Sequence, residues 1–261
     1  MLKLIPLGGL GEIGLNMMAV EYGDTIFVID AGLMFPEAYM LGVDYVIPDM
    51  DYLRQNRRRV SGIVLTHAHE DHIGALPFLL REINVPVFGT PFTLGIVRHK
   101  LEEHELLATA SLHEVLPRER LKIGPFEVEF IRVNHSVVDG VGLAIRTPVG
   151  MVVHTGDFKM SQTVVDGMLT DVNRFAQCGE EGVLALLSDS TNVEKEGHTI
   201  SAQEIGSELS RITDAASGRI IVALFASNIA RNLGYLDLPG EMEIDIDELN
   251  AFPDDEIIMV T

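Results

Sequence analysis

Cysteine and tryptophan are nearly missing from this 261-residue chain, which has one Cys and no Trp, and basic residues are scarce, at 19 Lys and Arg. A lone Cys178 has no partner for an intrachain disulfide and fits a reducing cytoplasm. The apolar runs, such as Gly182–Leu187, are strand-sized and well short of the ~18 residues of a membrane span. Met1–Leu15 is apolar but lacks a basic leader region and a small-residue cleavage site, so no signal peptide is expected. With 39 Asp and Glu the net charge is −20, which by itself argues against a phosphate-binding surface. The hydrophobic fraction of 47% excludes a disordered chain, and the length allows one large domain, or one plus part of another.

Short apolar runs set the pattern. Leu2–Leu7, Asn16–Tyr22, Thr25–Asp30 and Val60–Thr66 read as strands, with Tyr22-Gly23-Asp24 as a turn. Helices are expected over Ile73–Glu82, Pro91–His104 and Ser201–Asp214, the second opening on Pro and the third on capping-box spacing at Ser201 and Glu204. Strands resume at Leu121–Ile123, Phe126–Val133, Val141–Thr147, Met151–His154, Gly182–Leu187 and Arg219–Phe225, and Glu256–Thr261 reads as one more. Runs of strands mixed with helices favour stacked sheets with helices outside.

Gly9-Leu10-Gly11-Glu12-Ile13-Gly14 matches a dinucleotide-binding fingerprint, but the residues from Gly14 to Asp30 are taken up by strands and a turn. No room remains for the helix that must face a pyrophosphate. A tight glycine turn is the better reading.

Thr66-His67-Ala68-His69-Glu70-Asp71-His72 is the informative segment, with its histidines and Asp71 between an apolar strand and an apolar helix. In extended backbone His67 and His69 point the same way. Neutral imidazoles suit zinc, and carboxylates extend the site to harder metals. Further ligands must come from elsewhere. His135 follows a strand within Asn134-His135-Ser136, and Asp157 follows another at a glycine turn, where its carboxylate has two oxygens to share.

These residues, together with an early Asp30, resemble the metallo-β-lactamase fold superfamily. More narrowly, Gly8–Met17, Val28–Pro36, Tyr45–Asp49, His154–Phe158 and Ser188-Asp189-Ser190-Thr191 resemble the ribonuclease J family of its β-CASP branch, over nearly all of residues 1–231. The resemblance implies an α/β fold, an αββα sandwich of two stacked sheets flanked by helices. It implies a catalytic domain over residues 1–205 and a partial β-CASP module over residues 206–261. By the family pattern His67, His69 and His135 hold one zinc, Asp71 and His72 a second, and Asp157 bridges them, with manganese or magnesium as alternatives. Asp30 would orient the ligand loop by hydrogen bonds, and His154 would support the site from beside Asp157. Asp189 matches the acidic motif where the β-CASP module begins, or else caps a turn beside Ser190 and Thr191. Two divalent ions would activate a water for in-line attack on a phosphodiester, with Asp71, His72 and Asp157 closest to the chemistry.

The implied activity is RNA hydrolysis in the cytoplasm, endonucleolytic and 5′-to-3′ exonucleolytic, on single-stranded RNA with a 5′-monophosphate, by a homo-oligomer and without a membrane. The alternatives are a small-ester or thioester hydrolase of the same fold, or an inactive binding module. Phe225–Arg231 begins the β-CASP module in recognisable form, but Asn232-Leu233-Gly234-Tyr235-Leu236 follows directly, without the phosphate-contacting stretch the family pattern places between. The chain therefore reads as truncated, with its second metal site weak or empty and its nuclease activity poor. From Asn232 to Thr261 there are nine acidic residues and no Lys or Arg, so much of the adverse charge lies in that partial module. Two divalent ions at the site would oppose it where phosphate docks. Arg54, Arg57, Arg58 and Arg59 form the one basic patch, a solvated helix end or a contact for RNA. His99 and His104 fall in a helix of mixed polarity and His113 and His198 read as loop-borne, so none is expected to bind the metal, and Cys178 is read as packing.

Overall fold

Period-two alternation of apolar side chains lets a strand bury one face against a second sheet and the other against helices. The computed structural model describes residues 1–160, 168–197, 202–215, 220–223 and 257–260. The expected cap at Ser201, His198, the Arg219 and Phe225 strand ends, the Phe225–Arg231 and Asn232–Leu236 motifs, and Glu256 and Thr261 lie outside the described residues.

The chain divides into two compact units. The first comprises Met1–His135, Asp139–Lys159 and Thr170–Ser190. It holds two sheets. One runs in the order β1 (Leu2–Gly8), β2 (Met17–Tyr22), β3 (Thr25–Ile29), β4 (Val60–Val64), β5 (Val87–Gly89) and β6 (Leu112–Glu114). The other runs β11 (Val183–Leu187), β10 (Gly150–His154), β9 (Val141–Thr147), β8 (Phe126–Arg132) and β7 (Arg120–Ile123). Val20, Phe27, Ile29 and Val64 of the first sheet share one buried cluster with Phe126, Val128, Phe130 and Leu143 of the second. Phe27 meets Phe126 edge-on at 5.0 Å between ring centres. Each such side chain adds about 1.5–3 kcal/mol on burial, and this shared layer holds the sandwich together.

Five helices belong to this unit: α1 (Asp51–Gln55), α2 (Glu70–Ile73), α3 (Leu76–Glu82), α4 (Pro91–Glu103) and α5 (Val172–Glu181). The expected helix over Ile73–Glu82 is broken in two. Pro77 has no N–H to continue the ladder, and the Ala75 N–H bonds the Ala31 carbonyl at 2.7 Å instead. Cys178 is buried on α5 against Ile131, Ala144, Met151 and Val153, a packing role.

The outer strand faces carry charge. Glu129 on β8 is buried and takes Arg174 of α5 through both oxygens, at 2.5 and 2.8 Å, with Arg146 at 2.9 Å. Glu21 on β2 is likewise buried, with Lys3 at 2.6 Å, Arg59 at 3.1 Å and the Tyr52 hydroxyl donating to it. The basic patch is thus partly neutralised: Arg59 serves Glu21, and Arg54 pairs with Glu82 at 2.5 Å and Asp51 at 2.7 Å.

The second unit comprises Ser136–Val138, Met160–Leu169 and Thr191–Thr261. Its described elements are α6 (Ala202–Ala215) and the parallel pair β12 (Ile220–Ala223) and β13 (Ile257–Val260). No helix among the described residues is long and apolar enough to cross a membrane.

Candidate metal centre

Strands β3 and β4 are parallel, and β8, β10 and β11 all run the same way in the other sheet. The residues just past their C-terminal ends are Asp30, the Leu65–His69 loop, Asn134-His135, Thr155-Gly156-Asp157 and Asp189. Every site residue expected from the sequence sits on one of these ends or on α2, which follows the His67-His69 loop.

His69 is extended (φ −73°, ψ 149°) as it enters α2, so His67 and His69 share a side. His67 Nε2 lies 3.0 Å from His69 Nδ1, and His135 Nε2 lies 3.2 Å from the same atom. Tetrahedral zinc with bonds of 2.0–2.1 Å separates two nitrogen ligands by about 3.3 Å, so both pairs that share His69 stand close to the required spacing, and the ligand atoms of all three rings lie within 4.8 Å of one another. Asp157 Oδ2 is 3.7 Å from His135 Nε2 and 3.5 Å from His72 Nε2, facing both groups. A second cluster of donors joins His67, His72 and Asp157. Asp71 stands next to it, with Oδ2 3.7 Å from His72 Nε2 and 3.4 Å from the Asn16 amide nitrogen.

Electrostatics favour metal over protons at the first group. Burial and neighbouring rings push His67 well below an ordinary histidine, and burial lowers His69. His135 falls to about 4 because it is buried, with Asp157 only partly compensating. Neutral rings keep a lone pair for a cation. His72 differs: burial disfavours its charge, but Asp30 and Asp157 carry it up to about 10. Burial works against the Asp157 charge, yet His72, His135 and His69 hold its pKa below that of an ordinary aspartate. Three neutral imidazoles, His67 buried and His69 and His135 half-buried, beside a carboxylate are a donor set that fits zinc.

The support is laid down by backbone. Asp30 takes a left-handed conformation, φ 58°, and its carboxylate turns back to accept the Thr66 N–H at 2.7 Å and to meet His72 Nδ1 at 2.8 Å. The next residues bond α2 directly: Ala31 N–H to the His72 carbonyl at 2.7 Å and Leu33 N–H to that of Glu70 at 3.1 Å. Gly32 packs so closely that a Cβ there would sit 1.6 Å from the Asp71 carbonyl oxygen. Gly156 has φ +57°, and a Cβ would come 2.6 Å from the Val141 carbonyl oxygen. The Gly9–Gly14 segment forms bends and no helix, with Gly14 packed against Met34.

The remaining expected residues fall close by. His154 Nδ1 accepts the Gly156 N–H at 3.0 Å, which ties it to the Asp157 turn. The Asp189 backbone N–H donates to Thr155 Oγ1 at 3.0 Å, and its charge acts on His135. Three histidines expected to lie outside the site are occupied elsewhere, His99 with Glu103, His104 with Phe78 and His113 with Phe88, and His113 sits on β6 rather than in a loop because it pairs with β5. Two residues of the site carried no role in the sequence reading. Asn16 reaches His72 Nε2 at 3.2 Å, and Thr66 sits between Asp30 and two histidine rings. The only signal for either was its place beside a motif.

Residues 10–189 match the family model of the metallo-beta-lactamase superfamily. A chain with this sandwich, and with histidine and aspartate donors gathered at one end of it, belongs to that superfamily, whose members bind divalent metal ions. Within it, the chain is 41% identical to Ribonuclease J of Helicobacter pylori (strain ATCC 700392 / 26695) over 290 residues, covering 99% of the chain and 42% of that protein. It is 48% identical to Ribonuclease J of Thermus thermophilus over 236 residues, covering 88% of the chain and 41% of that protein. The chain thus spans less than half the length of these relatives. The 290 aligned positions exceed its own 261 residues, so the Helicobacter protein carries residues that this chain skips. A solved protein of unknown function from Enterococcus faecalis shares the fold, with a TM-score of 0.66 at 17% identity, covering 92% of this chain and 64% of that one.

Proposed function

We propose that this chain is the catalytic part of a metal-dependent ribonuclease that hydrolyses RNA phosphodiester bonds. The observation that carries the reading is the convergence of His67, His69 and His135 with Asp157 in a chain this similar to ribonuclease J. Residues 1–205 serve as the catalytic domain and residues 206–261 as part of a β-CASP module. His67, His69 and His135 would hold one zinc, with Asp157 available to both donor groups, while Asp71 and His72 would serve a second ion. When bound, divalent ions there activate water and neutralise phosphodiester charge. Asp157 fixes the two donor groups relative to each other, and Asp30 fixes the His72 ring. His154 holds the turn that carries Asp157, and Asp189 adds negative charge near His135.

The substrate is single-stranded RNA with a 5′-monophosphate, cut endonucleolytically and from the 5′ end, in the cytoplasm and by a homo-oligomer. On this chain the second ion is held weakly, because Asp71, His72 and Asp157 supply few ligands, and turnover is slow. Manganese or magnesium can replace zinc there, since carboxylates accept harder ions.

The test incubates the purified chain with 5′-monophosphorylated RNA, with single-ester substrates, and with added zinc or manganese. Metal-dependent RNA cleavage supports the proposal. Cleavage of esters alone points to a small-ester hydrolase, and metal binding without any cleavage points to a binding module.

A further inference from the structure

Thr66 lies at the centre of the buried side of the metal centre. Its hydroxyl is fully buried and donates to Asp30 Oδ2 at 2.8 Å. A hydroxyl has one proton, and that proton is committed to the carboxylate. The same oxygen lies 3.0 Å from His67 Nδ1, so there it can only accept, and the proton between them belongs to His67. His67 is thereby fixed as the tautomer with hydrogen on Nδ1 and a lone pair on Nε2, the atom that faces His69. Asp30 Oδ2 also meets His72 Nδ1 at 2.8 Å. A carboxylate only accepts, so His72 too carries hydrogen on Nδ1 and presents Nε2, toward Asp157 and Asp71.

From this geometry we infer that Thr66 is a positioning residue through which the single carboxylate of Asp30 sets the tautomer of a ligand in each metal group, His72 directly and His67 by way of the Thr66 hydroxyl. The inference rests on the reading of these histidines as metal ligands. Partners that orient a ligating histidine through its other ring nitrogen commonly contribute 10–100-fold to metal affinity. The Thr66 backbone N–H bond to Asp30 Oδ1, at 2.7 Å, is independent of the side chain. Thr66→Val therefore removes the relay while keeping shape and backbone contact.

The test is a zinc titration against a chelating competitor on the wild-type chain, Thr66→Val and Thr66→Ser, with melting curves of the metal-free proteins beside it. Spectra of 15N-histidine-labelled, metal-free protein at neutral pH report which ring nitrogen of each histidine carries hydrogen when no metal dictates it. The expected result is a roughly 10–100-fold weaker zinc affinity in Thr66→Val, loss of the fixed Nδ1–H signal of His67, and recovery of both in Thr66→Ser. Equal affinity and an unchanged His67 signal in Thr66→Val overturn the inference. A metal-free melting shift with unchanged affinity also overturns it, since that is a purely structural role. Absence of zinc binding by the wild-type chain instead refutes the reading of the histidines as ligands.

Discussion

Replacing Glu129 by Gln tests how the second sheet holds the helix that covers it. Glu129 is buried on β8 and bonds Arg174 of α5 and Arg146 of β9. Arg174 in turn bonds Glu181 and Gln177 at 3.0 Å each, and Arg118 anchors the start of α5 through Asp171 at 2.6 Å. Burial alone would raise the Glu129 carboxyl, yet Arg174 and Arg146 bring it from 4.5 down to about 2. That difference between unfolded and folded values corresponds to about 3 kcal/mol at neutral pH. Independently, breaking a buried ion pair by removing one partner costs about 3–5 kcal/mol. Glu129→Gln keeps the volume and loses the charge, so a loss of about 3 kcal/mol is expected at pH 7. Because the folded pKa is depressed, the contribution is complete above pH 4.5 and disappears as pH falls through about 2. Urea unfolding of both proteins, followed by circular dichroism at neutral pH and at pH 3, measures the gap. A variant within about 0.5 kcal/mol of wild type at neutral pH, the range of an ordinary surface substitution, refutes the reasoning. So does a gap that fails to narrow in acid.

Gly32→Ala places a methyl group 1.6 Å from the Asp71 carbonyl oxygen, so α2 must shift; zinc affinity should fall at least tenfold by chelator competition. His135→Ala and Asp157→Asn each remove a donor from the converging groups, and RNA cleavage should drop by on the order of 100-fold, with circular dichroism unchanged. His72, raised to about 10, holds a proton at neutral pH, whereas His67, His69 and His135 are lowered and hold none. Zinc entering the histidine group should release no ring proton, and the later, weaker ion at His72 should release about one, read with a pH indicator in dilute buffer. The first group should also keep zinc at a pH where ordinary histidines are already protonated, down toward pH 5, because His135 titrates only near 4.

Much of the fold was legible because its strands obey simple periodicity: Phe126, Val128 and Phe130 alternate cleanly toward the sheet interface. The candidate cluster was legible at His67, His69 and His72 from residue density, and at His135 and Asp157 from positions just past apolar strands. Other features were not. Strands β5 and β6 have only three residues each, too few to show a period. The break between α2 and α3 depends on a hydrogen bond from Ala75 to Ala31, a contact between distant parts of the chain. Glu129 and Glu21 look like surface residues in sequence, and only partners far along the chain explain their burial. The left-handed turn at Asp30 and the relay through Thr66 likewise arise only once β3 and β4 lie side by side. The net charge is silent on the donor cluster for a related reason, since charge counted over a chain does not locate a site.

Whether His67, His69, His135 and Asp157 form a metal centre is decided by native mass spectrometry of the metal-stripped chain titrated with zinc. One tightly held zinc per chain, a second appearing only in excess, and loss of the tight ion in His135→Ala are the predicted results. No bound zinc, two ions held with equal tightness, or a tight ion that survives His135→Ala would contradict that reading.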